Sequence, residues 1–296
     1  MTHQNRKNIF LIINLFAGHG ENRKRKIDTA VSWLKSNTVN VEFAYTEYPG
    51  HATELAAKAA GDDFDIVVAV GGDGTVNEVA QGLIGTTTPL GIIPMGSGNG
   101  LARDLEISMN VVKSARNLIK GKTELIDVCR INNQRFLCTA GIGFDAQVAD
   151  KMAKASTRGF LRYIQLTIQE SIAFKPFNIK MKLDGLLFER PVFLVTFANA
   201  SQFGNNARIA PDASMTDGLI DVVVVNPFYK IWLPVFGIGL FTRLIPKLPF
   251  VDCYKAKHIE LEFAGTNIYH FDGEPGKLEL PATVTIDSEK LFVVGG

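Results

Sequence analysis

The chain has 296 residues, of which 46% are hydrophobic and 21% charged, and its formal net charge is +1. This length favours two domains over a single core, and the composition is that of an ordinary globular protein. A net charge so close to zero gives no overall field that would attract nucleic acid, so no nucleic-acid partner is expected. The three cysteines are far apart and lack metal-ligand spacing, which predicts a reducing compartment without a disulfide framework.

No apolar stretch reaches the roughly 18 residues that a transmembrane helix needs, and the run Ile9 to Ile13 is too short for the core of a signal peptide. We therefore expect a cytoplasmic protein without a transmembrane segment. The longest apolar stretch, Ile231 to Ile245, is interrupted by Pro234, Gly237 and Arg243. We interpret it as a buried core helix with flanking charges, and the alternative is an interfacial patch that docks on a membrane.

In the first 125 residues, short apolar runs alternate with helical patterns. The runs that read as strands are 9–13, 39–45, 66–70 and 90–94. Strands that alternate with helices predict a parallel sheet covered by helices on both faces, so residues 1–125 are interpreted as an α/β domain.

From about Leu125 onward, most segments read as strands separated by turn signals such as Asn132-Asn133 and Asp184-Gly185. A single helical stretch, Ala146 to about Ile172, interrupts them. Residues 126–287 are therefore predicted to form a β-sandwich domain, and the apolar tail of 288–296 is predicted to return to the first domain.

The run Gly71-Gly72-Asp73-Gly74-Thr75 follows the buried strand 66–70, at the strand end where open α/β sheets bind ligands. Glycines allow the backbone to approach a ligand closely, and a helix N-terminus attracts phosphate. The spacing from Thr75 to Glu78 matches a capping box and predicts a helix that begins at Thr75. Asp73 would act on Mg²⁺ or as a base toward a hydroxyl.

Two other predicted strands end in similar loops, residues 14–20 and 95–100. Because the carboxyl ends of parallel strands share one edge of a sheet, the three loops are expected to converge on one phosphate site.

Two familiar nucleotide motifs can be compared with the sequence. The Walker A pattern is absent, which excludes an ordinary P-loop kinase. Residues 141–146, Gly-Ile-Gly-Phe-Asp-Ala, match the dinucleotide fingerprint but lack the surrounding βαβ unit that the motif requires. We expect these glycines to allow tight packing at the domain boundary instead.

Taken together, the motifs resemble those of the diacylglycerol kinase catalytic-domain superfamily, which includes bacterial diacylglycerol kinases, sphingosine kinases and ceramide kinases. The segments that carry the resemblance occur in the family's order and span nearly the whole chain. They are Val70-Gly-Gly-Asp-Gly-Thr-Val-Asn-Glu-Val79, Pro94-Met-Gly-Ser-Gly-Asn99, Ala140-Gly-Ile-Gly-Phe-Asp145, Thr216-Asp-Gly-Leu219 and Asp272-Gly-Glu-Pro275.

The resemblance implies an α/β nucleotide-binding domain, a β-sandwich domain and an active site in the cleft between them. It implies ATP as phosphoryl donor, Mg²⁺ as cofactor and a lipid hydroxyl at a membrane surface as acceptor. It further implies that Asp217, with the backbone of Ser214 and Leu219, holds a structural Mg²⁺ and that Glu274 accepts the proton, with Asp73 as the other candidate base. The implied nucleotide-site residues are Asn14, Gly18, Thr46, Gly71, Gly72, Asp73, Gly74, Thr75, Asn77, Glu78 and Ser97.

The third loop departs from the usual bacterial pattern of a threonine followed by an Asn-Asp pair. Ser97 keeps the hydroxyl, whereas Gly100 lacks the carboxylate, so the loop looks more like that of sphingosine kinases. The acceptor therefore stays open between diacylglycerol and a sphingoid-type lipid. The competing functions are an NAD kinase and a non-catalytic nucleotide- or lipid-binding regulator. The enzyme is expected to be peripheral to the inner face of the membrane, with homodimer formation left open.

Overall fold

A computed structural model describes residues 7–15, 23–37, 39–62, 64–155, 160–263 and 267–296. The chain divides into two compact units, Met1–Ile126 with Glu289–Gly296 and Asp127–Ser288. These boundaries lie one residue from the predicted ones. Among the helices of the described residues, none is both long enough and apolar enough to cross a membrane.

The first unit is built on a six-stranded sheet. Its strands are β1 (Lys7–Ile13), β2 (Val39–Tyr45), β3 (Ile66–Gly71), β4 (Leu90–Pro94), β5 (Thr123–Ile126) and β18 (Leu291–Val294). Its helices are α1 (Arg23–Ser36), α2 (His51–Gly61), α3 (Asp73–Leu83), α4 (Gly100–Asp104) and α5 (Val111–Lys120).

The strands of this sheet lie in the order β2-β1-β3-β4-β18-β5. Neighbours from β2 to β18 are parallel, and only β5 is antiparallel to its partner. Every residue of β3 and β4 is buried, as expected for parallel strands covered on both faces. The predicted α/β fold with a parallel sheet is therefore confirmed.

The helices cover the sheet with apolar faces. Helix α1 buries Ile27, Ala30 and Leu34, whose spacing places them on one side of the helix. They share a core with residues of β1, β3 and α5. Helices α2 and α3 approach each other closely at Gly82, where an added Cβ would lie 2.5 Å from the carbonyl oxygen of Thr53.

Helix α3 begins two residues earlier than the capping-box spacing predicted. Its N-cap is Gly72, and no side chain caps it. The prediction of a start at Thr75 was wrong because the amide of Val76 already bonds to the carbonyl of Gly72, which extends the first turn into the glycine-rich loop. This earlier start brings the N-terminal end of the helix to the end of β3.

The second unit contains two further six-stranded sheets. Its strands are β6 (Cys129–Ile131), β7 (Gln134–Phe136), β8 (Thr139–Gly143), β9 (Phe177–Leu183), β10 (Leu186–Val192), β11 (Leu194–Ala198), β12 (Ile220–Val225), β13 (Val251–Ala256), β14 (His258–Phe263), β15 (Ile268–Phe271), β16 (Glu274–Lys277) and β17 (Ala282–Ile286). Its helices are α6 (Phe144–Ala153), α7 (Phe160–Ala173) and α8 (Leu233–Thr242).

One sheet has the order β10-β9-β14-β17-β6-β7 and the other β13-β12-β11-β8-β15-β16, and their paired strands are antiparallel. Strands β9 and β14 alternate buried and exposed residues, so the first sheet has one solvent face. Strands β11 and β12 are buried throughout, because α6 and α8 contribute to a second apolar cluster against their outer face. The predicted β-sandwich is confirmed.

Two sequence-based expectations in this unit were wrong in detail. The helical stretch 146–172 is two helices, α6 and α7. The glycines of 141–146 lie inside the second unit rather than at its boundary.

Candidate active site

The described parts of the three predicted loops lie at one edge of the first unit's sheet, and residues 16–20 of the first loop, including Gly18, lie outside the described residues. Strand β1 separates β2 from β3, so the chain changes direction along the sheet between β1 and β3. Such a switch point opens a crevice at the carboxyl ends of the strands. The amide of Asn14 donates to the carbonyl of Val70 at 3.1 Å, and that of Met95 donates to the carbonyl of Gly71 at 2.7 Å. Thus the ends of β1, β3 and β4 are adjacent.

A hydrogen bond between the side chains of Asn14 and Thr75 connects the end of β1 to the start of α3, which follows β3. Asn14 Nδ2 donates to Thr75 Oγ1 at 3.1 Å, and Thr75 is buried at the start of α3. An added Cβ on Gly71 would lie 2.5 Å from Thr75 Cβ, so only glycine fits at that position without a shift. Thr46 lies on the other side of β1, where its amide donates to the carbonyl of Ile13 at 3.0 Å.

Asp73 joins the second loop to the third. Its Oδ2 accepts the amide of Asn99 at 2.8 Å, and its Oδ1 accepts the amide of Gly100 at 2.7 Å. The two backbones also approach closely, because a Cβ on Gly96 would lie 2.7 Å from the Cα of Gly72. The Asp73 carboxylate therefore caps the start of α4 and holds the second and third loops together.

Asn99 holds the third loop in shape. It has a left-handed backbone conformation with φ 52°, and its side-chain amide bonds to both the amide and the carbonyl of Gly96, at 3.1 and 2.8 Å. Ser97 is exposed at the tip of this loop. The loop thus presents one hydroxyl on a backbone that its own hydrogen bonds fix.

The remaining nucleotide-site residues of the sequence prediction divide into two groups. Gly74 is exposed in the first turn of α3, where an α-helix leaves its first amides without helical acceptors. Asn77 and Glu78 lie further along the helix, and Glu78 Oε2 accepts the amide of Ala52 at 3.3 Å, at the start of α2. The structure therefore brings Glu78 to the contact between α2 and α3 rather than to the strand ends.

Two arginines near these loops were missed by the sequence reasoning. Arg103 Nε donates to the carbonyl of Gly98 at 2.9 Å, and Arg23 donates to the carbonyl of Leu15. Cations of this kind suit phosphate oxygens. Neither forms a motif with its sequence neighbours, so only their proximity to the loops identifies them.

In the second unit, Asp272 and Gly273 form the two-residue turn between β15 and β16. Both have positive φ, 47° and 85°, and the strands pair Phe271 with Glu274 directly across the turn. This geometry suits the tight hairpin that an Asp-Gly pair favours. Strand β16 is the edge of its sheet, so it can accommodate Pro275.

The carboxylate of Asp272 anchors this turn. It accepts the amides of Leu137, Cys138 and Thr139 at 2.8, 2.7 and 3.1 Å. Burial raises the pKa of its carboxyl, and the three amide donors offset part of that effect. Glu274, two residues later, is exposed, and among the described residues its side chain has no hydrogen-bond partner. The turn thus presents a carboxylate on a fixed backbone.

A buried polar group lies behind β15. Thr196 Oγ1 donates to Asp145 Oδ2 at 2.9 Å, and His270 Nε2 lies 3.3 Å from the same oxygen. A Cβ on Gly141 would come within 2.7 Å of His270 Nε2, which explains the glycine of the 141–146 run. Strand β8 pairs antiparallel with both of its neighbours, so this run is not part of a βαβ unit. His270 and Asp145 are 125 positions apart in the chain, so no local sequence pattern relates them.

The predicted Mg²⁺ residues lie in the loop before β12. Asp217 Oδ1 accepts the amide of Leu219 at 3.1 Å, and its Oδ2 accepts Lys255 Nζ at 2.8 Å. Lys255 also donates to Asp221 at 3.0 Å. Ser214 Oγ lies 3.3 Å from Thr216 Oγ1. An ammonium therefore already balances the charge of the carboxylate, and a Mg²⁺ ion on Asp217, with oxygen ligands at about 2.0–2.1 Å, would add two positive charges beside it.

Comparison with known proteins assigns both units. The family described as "Diacylglycerol kinase catalytic domain" matches residues 8–131, and that described as "YegS C-terminal NAD kinase beta sandwich-like domain" matches residues 138–295. A diacylglycerol kinase of Mycobacterium tuberculosis (strain ATCC 25618 / H37Rv) is 30% identical over 266 residues, which cover 87% of this chain and 86% of that one. The chain belongs to the diacylglycerol kinase family.

Other relatives of this kinase family agree with that assignment. A diacylglycerol kinase of Bacillus subtilis (strain 168) is 35% identical over 188 residues, which is 61% of the length of each protein. The crystal structure of a diacylglycerol kinase from Bacillus anthracis str. Sterne has the same fold, with a TM-score of 0.78 at 22% identity over 99% of this chain and 98% of that one. A second structure from that strain gives a TM-score of 0.81 at 26% identity over the same shares.

Proposed function

We propose that this protein is an ATP-dependent lipid kinase that transfers the γ-phosphoryl group to a lipid hydroxyl, with diacylglycerol as the first candidate. The observation that carries the proposal is the convergence of three polar loops at the switch point of the first unit's sheet. Membership of the diacylglycerol kinase family supports the same chemistry. The function requires ATP, so the proposed location is the cytoplasm, at the inner face of the membrane.

On the donor side, the loops would bind phosphate mainly through backbone groups. The free amides at the start of α3, around Gly72 to Gly74, and its positive dipole end suit the phosphate oxygens. Asn14, Thr75 and Ser97 supply polar side chains around that point. ATP would enter as its magnesium complex, in which the ion neutralises charge that develops on the phosphates.

On the acceptor side, Glu274 is the proposed general base. It would take the hydroxyl proton as the acceptor oxygen bonds to the γ-phosphorus and the bond from that phosphorus to the β,γ-bridging oxygen breaks, releasing ADP. Its exposure and its fixed backbone suit this role. Asp73 is the other candidate base, but the two amides on its oxygens favour a positioning role that keeps the second and third loops together.

The structural Mg²⁺ at Ser214, Asp217 and Leu219 stays a prediction. These residues fit the ion poorly because the Lys255 ammonium already neutralises the Asp217 carboxylate through Oδ2. The proposed reaction uses no metal at this place.

The test is a labelled-ATP assay on a panel of diacylglycerol, sphingosine, ceramide and NAD, with each product identified by mass. Phosphatidic acid as the main product supports the proposal, and a phosphorylated sphingoid base would change the acceptor but keep the lipid kinase. NADP as the main product would defeat it in favour of an NAD kinase. Nucleotide binding without transfer to any acceptor would favour the non-catalytic regulator.

A further inference from the structure

The segment 229–244 of the second unit presents large apolar side chains to solvent. Ile231 is 83% exposed, Ile238 61% and Phe241 50%. Four other large side chains of the same segment are exposed as well: Tyr229, Trp232, Val235 and Leu244. Single exposed apolar residues are common on soluble proteins, but a group of this size in one short segment marks an interaction surface.

Helix α8 has an unusual composition for a helix at the surface. Its sequence from Leu233 to Thr242 contains no charged residue. A surface helix normally turns a polar face outward, whereas α8 is apolar on both faces, with Phe236 inward and Ile238 and Phe241 outward. The sequence-based interpretation as a buried core helix is therefore wrong for the outer face of this segment.

The inner face anchors the helix firmly. Phe236 is buried, and its ring lies 6.1 Å from that of Phe228 and 6.4 Å from that of Phe250. Ile245, just beyond the helix, is fully buried. Because these contacts fix the inner face, the outer apolar side chains cannot turn inward without breaking the core.

The end of helix α7 extends the same surface. Ile168 and Ile172 are both exposed near its C-terminus, and Lys230 Nζ donates to the carbonyl of Ile172. This hydrogen bond joins the end of α7 to the start of the segment. We call the segment 229–244 with Ile168 and Ile172 the apolar surface.

The charged residues of the segment 229–244 are basic, whereas α7 carries Glu170 between Ile168 and Ile172, and its Oε1 lies 3.7 Å from Lys151 Nζ. Residues 226–251 include Lys230, Arg243 and Lys247 and no aspartate or glutamate. All three basic residues are exposed. Basic residues beside an apolar face, together with Tyr229 and Trp232, are typical of a segment that lies in the interface of an anionic bilayer.

We propose that the apolar surface docks the protein on an anionic lipid bilayer. The inference rests on the proposed lipid kinase function, because an acceptor with long acyl chains stays in the membrane and the enzyme has to reach it there. A second copy fits less well, since a symmetric contact would bring the same basic residues together. An anionic bilayer accommodates both the exposed apolar side chains and the exposed basic residues Lys230, Arg243 and Lys247.

The experiment is co-sedimentation with vesicles of phosphatidylcholine, with and without phosphatidylglycerol, in the absence of ATP. Replacing Trp232, Ile238 and Phe241 together by serine should lower vesicle binding on the order of tenfold or more. Arg243→Gln with Lys247→Gln should weaken binding to phosphatidylglycerol vesicles and leave the weak binding to phosphatidylcholine unchanged. Circular dichroism and thermal melting establish that each variant is folded.

The matched control is Leu186→Ser with Leu187→Ser, at the exposed hairpin between β9 and β10. That hairpin is also apolar, but its neighbours Lys182 and Glu260 carry both signs of charge. Its variant should bind vesicles as the wild type does. Unchanged binding of the triple serine variant, or equal loss in the control, would overturn the proposal. So would a wild-type dimer, seen by light scattering, that the triple variant abolishes while vesicle binding persists.

Activity measurements test the proposed docking surface separately from the proposed lipid kinase function on which it rests. The triple variant should lose activity toward long-chain diacylglycerol in vesicles and keep activity toward a short-chain diacylglycerol dissolved in water. Equal loss toward both substrates in a folded variant would contradict docking. A wild-type protein that binds vesicles but phosphorylates neither substrate would instead contradict the lipid kinase and leave the bilayer contact in place.

Discussion

In the first unit, three loops hold each other through backbone and side-chain hydrogen bonds, and the two carboxylate oxygens of Asp73 accept the amides of Asn99 and Gly100. In the second unit, a single tight turn is pinned by Asp272, and the carboxylate next to it, Glu274, is exposed. Each unit therefore uses one aspartate to fix a backbone, and in the second unit the exposed carboxylate of Glu274 lies two residues beyond that aspartate. The two aspartates therefore resemble each other in their contacts with backbone amides, and Glu274 differs from both in its lack of such contacts among the described residues.

The largest effect is expected at Glu274. Glu274→Gln should lower kcat by about 10²–10⁴-fold, because the amide cannot accept the proton from the acceptor hydroxyl. The melting temperature should not change, since the side chain is exposed. Steady-state kinetics measure the effect, with Glu279→Gln as the control in the same region. A kcat within a few-fold of the wild type would remove Glu274 from the role of base.

Next is Gly71→Ala, at the end of β3. The new methyl group would overlap the side chain of Thr75, which in turn bonds to Asn14, so the switch point itself is distorted. We expect a loss of about 1–3 kcal/mol in the free energy of unfolding and weaker ATP binding. Gly61→Ala is the matched control, because nothing lies within 4 Å of its added Cβ. Calorimetry measures ATP binding, and denaturant unfolding measures the free energy of unfolding. Equal values of both quantities for the two variants would contradict the tight contact between Gly71 and Thr75.

Asp73→Asn directly tests the contrast between the two carboxylates. The amide keeps one acceptor but turns an NH₂ group toward a backbone N–H, so the contact with the third loop should weaken. We expect the unfolding free energy to fall by about 1–3 kcal/mol and KM for ATP to rise. Asp62→Asn, an exposed position, is the control. If kcat alone fell by orders of magnitude at an unchanged melting temperature and KM, Asp73 would be the base and the contrast would fail.

The smallest effect concerns Lys255. Burial lowers the pKa of its ammonium, but hydrogen bonds to Asp217 and Asp221 raise it by more, so the pKa lies above its ordinary value. The stability that this raised pKa contributes is present at neutral pH and is lost only as the pH rises through the folded-state pKa. Magnesium should therefore change the wild-type melting temperature little, whereas Lys255→Met should lower it slightly and make it rise with magnesium. A wild-type melting temperature that depends strongly on magnesium or on a chelator would instead favour an ion at Asp217.

The fold was largely predictable from the sequence because its signals are local. The buried runs of β3 and β4 and the turn signals of the second half follow from hydrophobic pattern and from the residues that tight turns need. Element starts were less predictable. The start of α3 depends on a hydrogen bond to Gly72 within a loop of several glycines, which a capping-box spacing does not describe.

The candidate site was predictable as a set of loops but not as a set of contacts. Gly71 and Gly74 follow from the need for backbone close to phosphate, whereas Glu78 lies against α2 although it belongs to the same motif. The bond of Asp73 to the third loop joins residues 26 and 27 positions apart. No spacing rule relates them, because parallel strands bring their ends together through the sheet rather than through the chain.

By itself, the sequence determined the division into an α/β part and a β-sandwich part, the glycine-rich strand ends and the resemblance to lipid kinases. Each of these depends on short runs of residues, which can be recognised without knowledge of the fold. Only the tertiary structure decided what each acidic residue contacts, that His270 lies beside Asp145, and which face of α8 meets solvent. Whether a side chain is buried, and which group it contacts, depends on residues that are distant in the chain. Sheet pairing and packing bring those residues together.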